Sequence, residues 1–192
     1  MSVTTSILPA RQRILLTAHD LFYREGVRAT GIDRIISESG VTKVTFYRHF
    51  PSKNDLIAAF LAYRHEQWLA WFNQSLERHV AEQGNVLSAL TPCLAEWFND
   101  PHYRGCAFIN TAVELADMLP ESLNIARQHK EQMADAIARH LPVGPRQEQQ
   151  AAMLAMLIDG AIVKVQIEQQ PQQTLLLMSG MLEALALAWL DQ

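Results

Sequence analysis

The sequence has little cysteine and little that predicts β-structure. Among its 192 residues are two cysteines, Cys93 and Cys106, which are too few for a disulfide scaffold and suit a reducing, intracellular setting. No stretch alternates β-branched and polar residues over the length of a strand, and internal repeats and low-complexity tracts are lacking. These absences predict an all-α fold.

The motifs of common catalytic and metal sites are also lacking. The seven histidines form no His-Glu-x-x-His pattern, the cysteines have no Cys-x-x-Cys spacing, and no glycine-rich phosphate loop is present. The best enzyme hypothesis pairs Cys106 with His102 or His129 as a base, an arrangement that many helical proteins would show. We therefore expect no enzyme activity, no metal and no cofactor, and rank a Cys/His enzyme as the least favoured alternative.

The sequence predicts no signal peptide and has no uninterrupted hydrophobic run long enough to span a bilayer. Residues 1–10 show no basic region followed by an apolar run. The most apolar stretches, 151–167 and 174–190, are short for a bilayer span and are interrupted by Asp159, Lys164 and Glu183. We interpret both stretches as buried helices and expect a cytoplasmic protein with no membrane partner.

Positive charge is scarce overall but unevenly distributed. The chain carries a net charge of −4. Residues 1–55 hold eight Lys/Arg and five Asp/Glu, a net charge of +3, whereas residues 56–192 hold eight basic and fifteen acidic residues, a net charge of −7. A basic N-terminal head on an acidic body can meet phosphates with one end only, and this mild excess supports nucleic-acid binding by the head.

Apolar periodicity and capping patterns predict about nine helices. The first runs from about 9 to 25 and ends at Gly26. Thr30-Gly31-Ile32-Asp33 reads as a capping pattern that opens a second helix, Gly40 stops it, and Ser52-Lys53-Asn54-Asp55 opens a long helix to about His79. Later breaks predict helices near 85–98, 104–117, 121–140, 146–168 and 172–190.

This organisation predicts a three-helix head over residues 1–55 and a six-helix body over residues 56–192. The last two predicted helices, 146–168 and 172–190, are apolar around much of their circumference. One body of this size cannot easily cover both, so we expect them to pair with their copies in a second subunit as a four-helix interface.

The short third helix of the head has the features of a DNA-recognition helix. Thr42 can cap it, and it runs from Lys43 to about His49 after the turn that contains Gly40. Phe46 and Phe50 are expected to face inward. This leaves outward-facing side chains able to reach bases or phosphates, namely Lys43, Thr45, Tyr47 and Arg48.

The segment Thr30–Lys53, TGIDRIISESGVTKVTFYRHFPSK, resembles the signature of the TetR/AcrR family of bacterial repressors. Its most specific part is Tyr47, Phe50 and Lys53, and the resemblance covers about residues 11–57. The chain departs from the family pattern at Ile36 and Ser39, where small alanines are usual on the second helix.

The resemblance implies a helix-turn-helix homodimer that represses transcription from a palindromic DNA operator and is released when an apolar or aromatic inducer fills a pocket in its body. The two recognition helices would lie one DNA turn apart, roughly 34–36 Å. Carried over by position, the family's DNA contacts fall on Thr30, Thr42, Lys43, Thr45, Tyr47, His49 and Lys53. An all-α protein-interaction module is the second alternative, which the head motif disfavours.

Aromatic and sulfur-containing residues are concentrated in the central helices. Such residues at helical spacing are usually core, but as a group they predict an apolar cavity with a few polar anchors. The residues that would line it are Trp68, Phe72, Trp97, Phe108, Asn110, Glu114, Met118 and His129. Cys106, beside Arg104 at a predicted helix start, is either a buried small hydrophobe or, less favoured, a redox sensor.

Overall fold

The computed structural model describes residues 8–115, 119 and 121–190, and this part of the chain holds helices and no strand. Its nine helices confirm the all-α prediction. They are α1 (Ala10–Glu25), α2 (Ile32–Ser39), α3 (Lys43–His49), α4 (Lys53–Gln83), α5 (Val86–Phe98), α6 (Ala107–Leu115), α7 (Glu121–Ala138), α8 (Gln147–Glu168) and α9 (Pro171–Leu190).

Two helix boundaries differ from the sequence prediction. Helix α4 continues past His79 to Gln83, where Gly84 adopts φ +80°. Helix α6 begins at Ala107 rather than near Arg104, because Gly105 has φ +81°, which a right-handed helix does not accept. Cys106 therefore precedes α6 instead of lying in its first turn.

The described residues form two compact units. The first contains residues up to Glu66 together with Ala107–Ala126, and the second contains Gln67–Cys106 together with residues from Arg127 onward. The first unit thus holds α1, α2, α3, the start of α4, α6 and the first turns of α7. The second holds the remainder of α4 and α7, with α5, α8 and α9.

The first unit is built around α1, which packs against both α2 and α3. Its apolar face is buried as the sequence periodicity predicts, and full burial of each large side chain contributes about 1.5–3 kcal/mol. The buried side chains of this core include Ile14, Ala18, Leu21, Phe22, Ile35, Phe46, Phe50, Leu56 and Phe60.

The turn between α1 and α2 is organised differently from the prediction. Gly26 ends α1 with φ +93° and ψ 152°, a region that is essentially open to glycine alone. Thr30 does not cap α2, whose N-cap is Gly31 without a side-chain hydrogen bond. Instead the Thr30 side chain is fully buried, and its hydroxyl donates to the Gly26 carbonyl at 2.8 Å. Its role is to close the turn.

Ion pairs and hydrogen bonds hold α2 to α1. The helix also accommodates Ile36 and Ser39, the two residues that depart from the family pattern. The Arg34 guanidinium donates to the Glu25 carboxylate at 3.0 Å and to Glu38 at 2.7 Å. The hydrogen bonds from Arg34 lower the pKa of Glu25 to about 2. Ser39 is buried, but its hydroxyl donates to the Ile36 carbonyl at 3.2 Å, so the additional polar group is satisfied locally.

The second unit packs α9 against both α5 and α8. The Tyr103 hydroxyl donates to the Ile162 carbonyl of α8 at 2.7 Å, and Asp159 pairs with Lys130.

Among the described helices, α8 is long and apolar enough to cross a bilayer by length and composition. One such helix is weak evidence of a membrane span, because the core helix of a soluble protein meets the same criterion.

Candidate nucleic-acid interface

Helix α3 is fixed at both ends by local hydrogen bonds. The Thr42 hydroxyl accepts the Thr45 amide hydrogen at 3.2 Å, which is the predicted N-cap. Before it, Gly40 ends α2 in the left-handed conformation, with φ +63°. After it, the Phe50 amide donates to the Phe46 carbonyl at 2.9 Å. These contacts at its two ends therefore set where the short helix begins and ends.

One side of α3 is buried and the other faces solvent. Phe46 and Phe50 are buried in the first unit, as their spacing predicts. Lys43, Val44, Tyr47 and Arg48 are exposed, and we call these four residues the α3 outer face. Val44, Tyr47 and Arg48 are spaced i, i+3, i+4, so they form one continuous stripe.

The α3 outer face carries two cations. The Lys43 ammonium lies 3.8 Å from the Asp33 carboxylate, but both side chains are well exposed, so this pair contributes little and leaves Lys43 able to exchange partners. Two sequence-predicted contacts beside this face, Thr45 and His49, are half-buried. Thr30 is fully buried and offers no surface to a ligand.

Lys53 lies at the start of α4, and its side chain makes contacts within the head. Its ammonium donates to the Val27 carbonyl at 2.7 Å and lies 5.9 Å from the centre of the Phe22 ring. Burial lowers its pKa. The sequence pattern indicated only a phosphate contact at this position, whereas the structure also gives Lys53 a stabilising contact with the turn after α1.

The start of α4 has the capping box that the sequence predicts. The Ser52 amide donates to the Asp55 carboxylate at 2.9 Å, and the Asp55 amide donates to the Ser52 hydroxyl at 3.2 Å. This reciprocal pair fixes the direction in which the chain leaves α3. It therefore positions Lys53 relative to the α3 outer face.

Four of the predicted pocket residues come together in the second unit. The Trp68 ring lies 4.8 Å from Phe72 in a stacked arrangement, 5.5 Å from Trp97 and 5.0 Å from His129, between ring centres. All four side chains are buried. The Trp68 Nε1–H is buried without an acceptor among the described residues.

The other predicted pocket residues are on α6 or outside the described residues. Phe108, Asn110 and Glu114 lie on α6 in the first unit, where Phe108 packs edge-on against His65 with ring centres 6.3 Å apart. The Glu114 carboxylate accepts the Arg28 amide hydrogen at 2.9 Å, so it serves the turn after α1. Met118 lies outside the described residues.

The two cysteines are both buried and unpaired with each other. Burial raises the pKa of the Cys93 thiol to about 11, which keeps it protonated and unreactive near neutral pH. Cys106 precedes α6 beside Gly105, and its burial limits access of an oxidant to its sulfur. The structure therefore gives the redox-sensor hypothesis no support.

Helices α8 and α9 leave a broad apolar surface exposed. They form a groove of about 770 Å³ lined mainly by methionine, leucine and small residues, with Lys164 at its margin. The exposed large apolar side chains of these helices are Met153, Met156, Val163, Ile167, Leu176, Leu177, Met181 and Leu187. An apolar patch of this extent on a helix pair is typical of a subunit interface.

A family model of bacterial regulatory proteins, the tetR family, matches residues 14–60, which contain α1, α2, α3 and the start of α4. This likeness to the tetR family covers residues 14–60, about a quarter of the chain. An HTH-type transcriptional regulator of Staphylococcus aureus (strain USA300) is 50% identical over 46 residues, which are 24% of this chain and 25% of that protein. The match therefore spans about a quarter of the length of this relative.

Solved structures extend the likeness to the whole fold. The TetR-family transcriptional regulator SCO4454 from Streptomyces coelicolor superimposes with a TM-score of 0.76 at 28% identity, over 91% of this chain and 93% of that one. The reduced form of Escherichia coli NemR gives a TM-score of 0.77 at 18% identity, over 91% of this chain and 96% of that one. The latter shows the fold alone.

The dual position of Lys53 yields a stability prediction. We expect Lys53→Met to lower the free energy of unfolding by about 1–2 kcal/mol, because it leaves the Val27 carbonyl without its charged donor. Lys43→Met is the matched control; its ammonium is exposed, so stability should stay within about 0.5 kcal/mol of wild type. Urea denaturation followed by circular dichroism measures both. Equal stability of the two variants would contradict the assigned contact.

Proposed function

We propose that this protein is a cytoplasmic, homodimeric transcription regulator that binds a specific DNA operator through the α3 outer face. The observation that carries the proposal is the exposed, capped helix with Lys43, Tyr47 and Arg48 on its free side. A helix of this diameter fits the major groove, where base edges differ between all four base pairs. The similarity of residues 14–60 to the tetR family of bacterial regulatory proteins supports the same function.

The proposed contacts modify the set carried over from the family pattern. Thr42, Lys43, Thr45, Tyr47, His49 and Lys53 stay in the proposal, while Thr30 leaves it because its side chain is fully buried. Arg48 enters it as an exposed cation on the last turn of α3. The sequence also predicts an outward-facing Arg48, but the family pattern gives this residue no role.

Dimerisation would proceed through α8 and α9. Their exposed methionine and leucine side chains need a cover that is equally apolar, and a second copy offers the same surface. A two-fold interface of this kind presents two identical α3 helices, so the proposed operator is palindromic with half-sites one DNA turn apart, roughly 34–36 Å.

The cluster of Trp68, Phe72, Trp97 and His129 is the proposed binding region for an inducer. Its rings favour an apolar or aromatic molecule, and the buried Trp68 N–H would donate to a polar acceptor on it. Binding there would release a repressor from its operator. The similar proteins are regulators rather than enzymes, which leaves the Cys/His enzyme alternative without support.

The DNA proposal is tested with a sequence selected by the wild-type protein from a random duplex pool. We expect affinity for this duplex to fall steeply with salt, and Arg48→Gln to make the slope of log K against log [salt] shallower by about 1 for each protomer. Arg24→Gln, an exposed cation on α1 paired with Glu25, is the control and should leave the slope unchanged. An unchanged slope for Arg48→Gln would exclude Arg48 from the phosphate contacts.

The dimer proposal predicts a strong effect of charge in the α8–α9 groove. We expect Leu177→Glu to convert the dimer into a monomer at micromolar concentration, since a carboxylate would be buried there without a partner. Val143→Glu introduces the same charge at a residue that is 94% exposed outside that groove and should leave the dimer intact. Sedimentation equilibrium distinguishes the two states, and a dimeric Leu177→Glu variant would place the interface elsewhere.

The inducer proposal is tested by a thermal-shift and DNA-release screen of apolar and aromatic compounds. We expect at least one compound to raise the melting temperature and weaken DNA binding, and Trp68→Phe to reduce its affinity about tenfold by removing the indole donor. Phenylalanine keeps most of the ring packing, so the variant separates hydrogen bonding from loss of fold. A screen in which no compound shifts melting or DNA affinity would remove the proposal.

A further inference from the structure

Val44 occupies an unusual position for a branched apolar side chain. It is 71% exposed and lies between Lys43 and Thr45 in the first turn of α3. Within the described part of α1, α2 and α3, Val44 and Tyr47 are the exposed large apolar side chains. Both are on the α3 outer face, so the apolar surface of these three helices is concentrated where the DNA would lie.

Local folding does not account for a valine there. Valine is a weaker helix former than alanine or the long polar residues, and an exposed valine contributes no burial to the core. The buried side of α3 is already supplied by Phe46 and Phe50. The residue therefore weakens α3 slightly in the free protein, and a compensating contact is expected in a complex.

We propose that Val44 reads DNA sequence by packing against the C5-methyl group of a thymine in the major groove. The proposal rests on the DNA-binding function proposed above and specifies one position of its operator. Thymine is the base that presents a methyl group at the major-groove edge, and an apolar side chain distinguishes it from cytosine, which presents an amino group there.

The geometry of α3 suits this contact. Residues in the first turn of a recognition helix approach the base edges, and the Thr42 cap fixes the backbone of that turn. A helical valine has one strongly preferred χ1 rotamer, so its two methyl groups are held in place before binding. Lys43 and Arg48 flank Val44 on the same face and supply the electrostatic attraction that a valine lacks.

The test removes the methyl group from each partner in turn. The probe is the duplex that the wild-type protein selects from a random pool, with each symmetry-related pair of thymines replaced by uracil, which lacks only the C5-methyl. We expect one pair of replacements to weaken wild-type binding roughly fourfold for each half-site, the ratio that corresponds to one buried methyl-sized group. Val44→Ala should bind more weakly to the parent duplex and be insensitive to that same replacement.

Two controls keep the result interpretable. Val44→Ala should have a urea midpoint equal to or slightly above that of wild type, since the lost methyl groups are exposed in the free protein and alanine is the better helix former. Val113→Ala is the matched variant, because it makes the same change at a helical valine of α6 that is 82% exposed and is not a proposed DNA contact. It should keep the full sensitivity to the thymine replacement that Val44→Ala loses.

Two results would overturn the proposal while leaving DNA binding intact. One is wild-type affinity that no uracil replacement changes; the other is a Val44→Ala variant that keeps the wild-type sensitivity. Failure of the wild-type protein to enrich any duplex from the pool would instead refute the DNA-binding function itself, and the proposal with it. That failure occurs before any substitution is made, so the two cases are distinct.

Discussion

The turn after α1 is the constraint on which the head depends. Three consecutive residues there, Gly26, Val27 and Arg28, have main-chain groups bound by side chains from elsewhere in the first unit. The bonds come from Thr30 to the Gly26 carbonyl, from Lys53 to the Val27 carbonyl and from the Arg28 amide to Glu114. Buried main-chain groups need such partners, and the bonds from Lys53 and Glu114 also tie α4 and α6 of the first unit to the turn.

Contacts within the head occupy part of its positive charge. Lys53 and Arg34 are counted among the basic residues of the head, yet both are engaged in contacts within it. The free cations of the α3 outer face are Lys43, whose partner Asp33 is weakly held, and Arg48. In the proposed function, the attraction for DNA therefore depends less on the net charge of +3 over residues 1–55 than on the position of two exposed cations beside Tyr47.

The sequence predicted features whose cause is local. The caps at Thr42 and at Ser52 with Asp55, and the stops at Gly26 and Gly40, follow from bonds or dihedral angles within a few residues. Thr30 misled the prediction because a threonine three residues before an aspartate fits a cap, while its hydroxyl instead bonds back to Gly26 in the preceding turn. The bond between Glu114 and the turn after α1 could not be predicted from sequence, since its partner Arg28 is 86 residues away.

In the second unit, too, the sequence predicted only part of what the structure shows. The sequence grouped eight residues as one predicted pocket, and four of these, Trp68, Phe72, Trp97 and His129, are buried, with the other three rings in contact with Trp68. It did not indicate that the Trp68 N–H would be buried without an acceptor, which costs about 1–3 kcal/mol in a closed core. A purely structural core would avoid that cost with phenylalanine at this position, and the retained indole N–H therefore favours a role in binding.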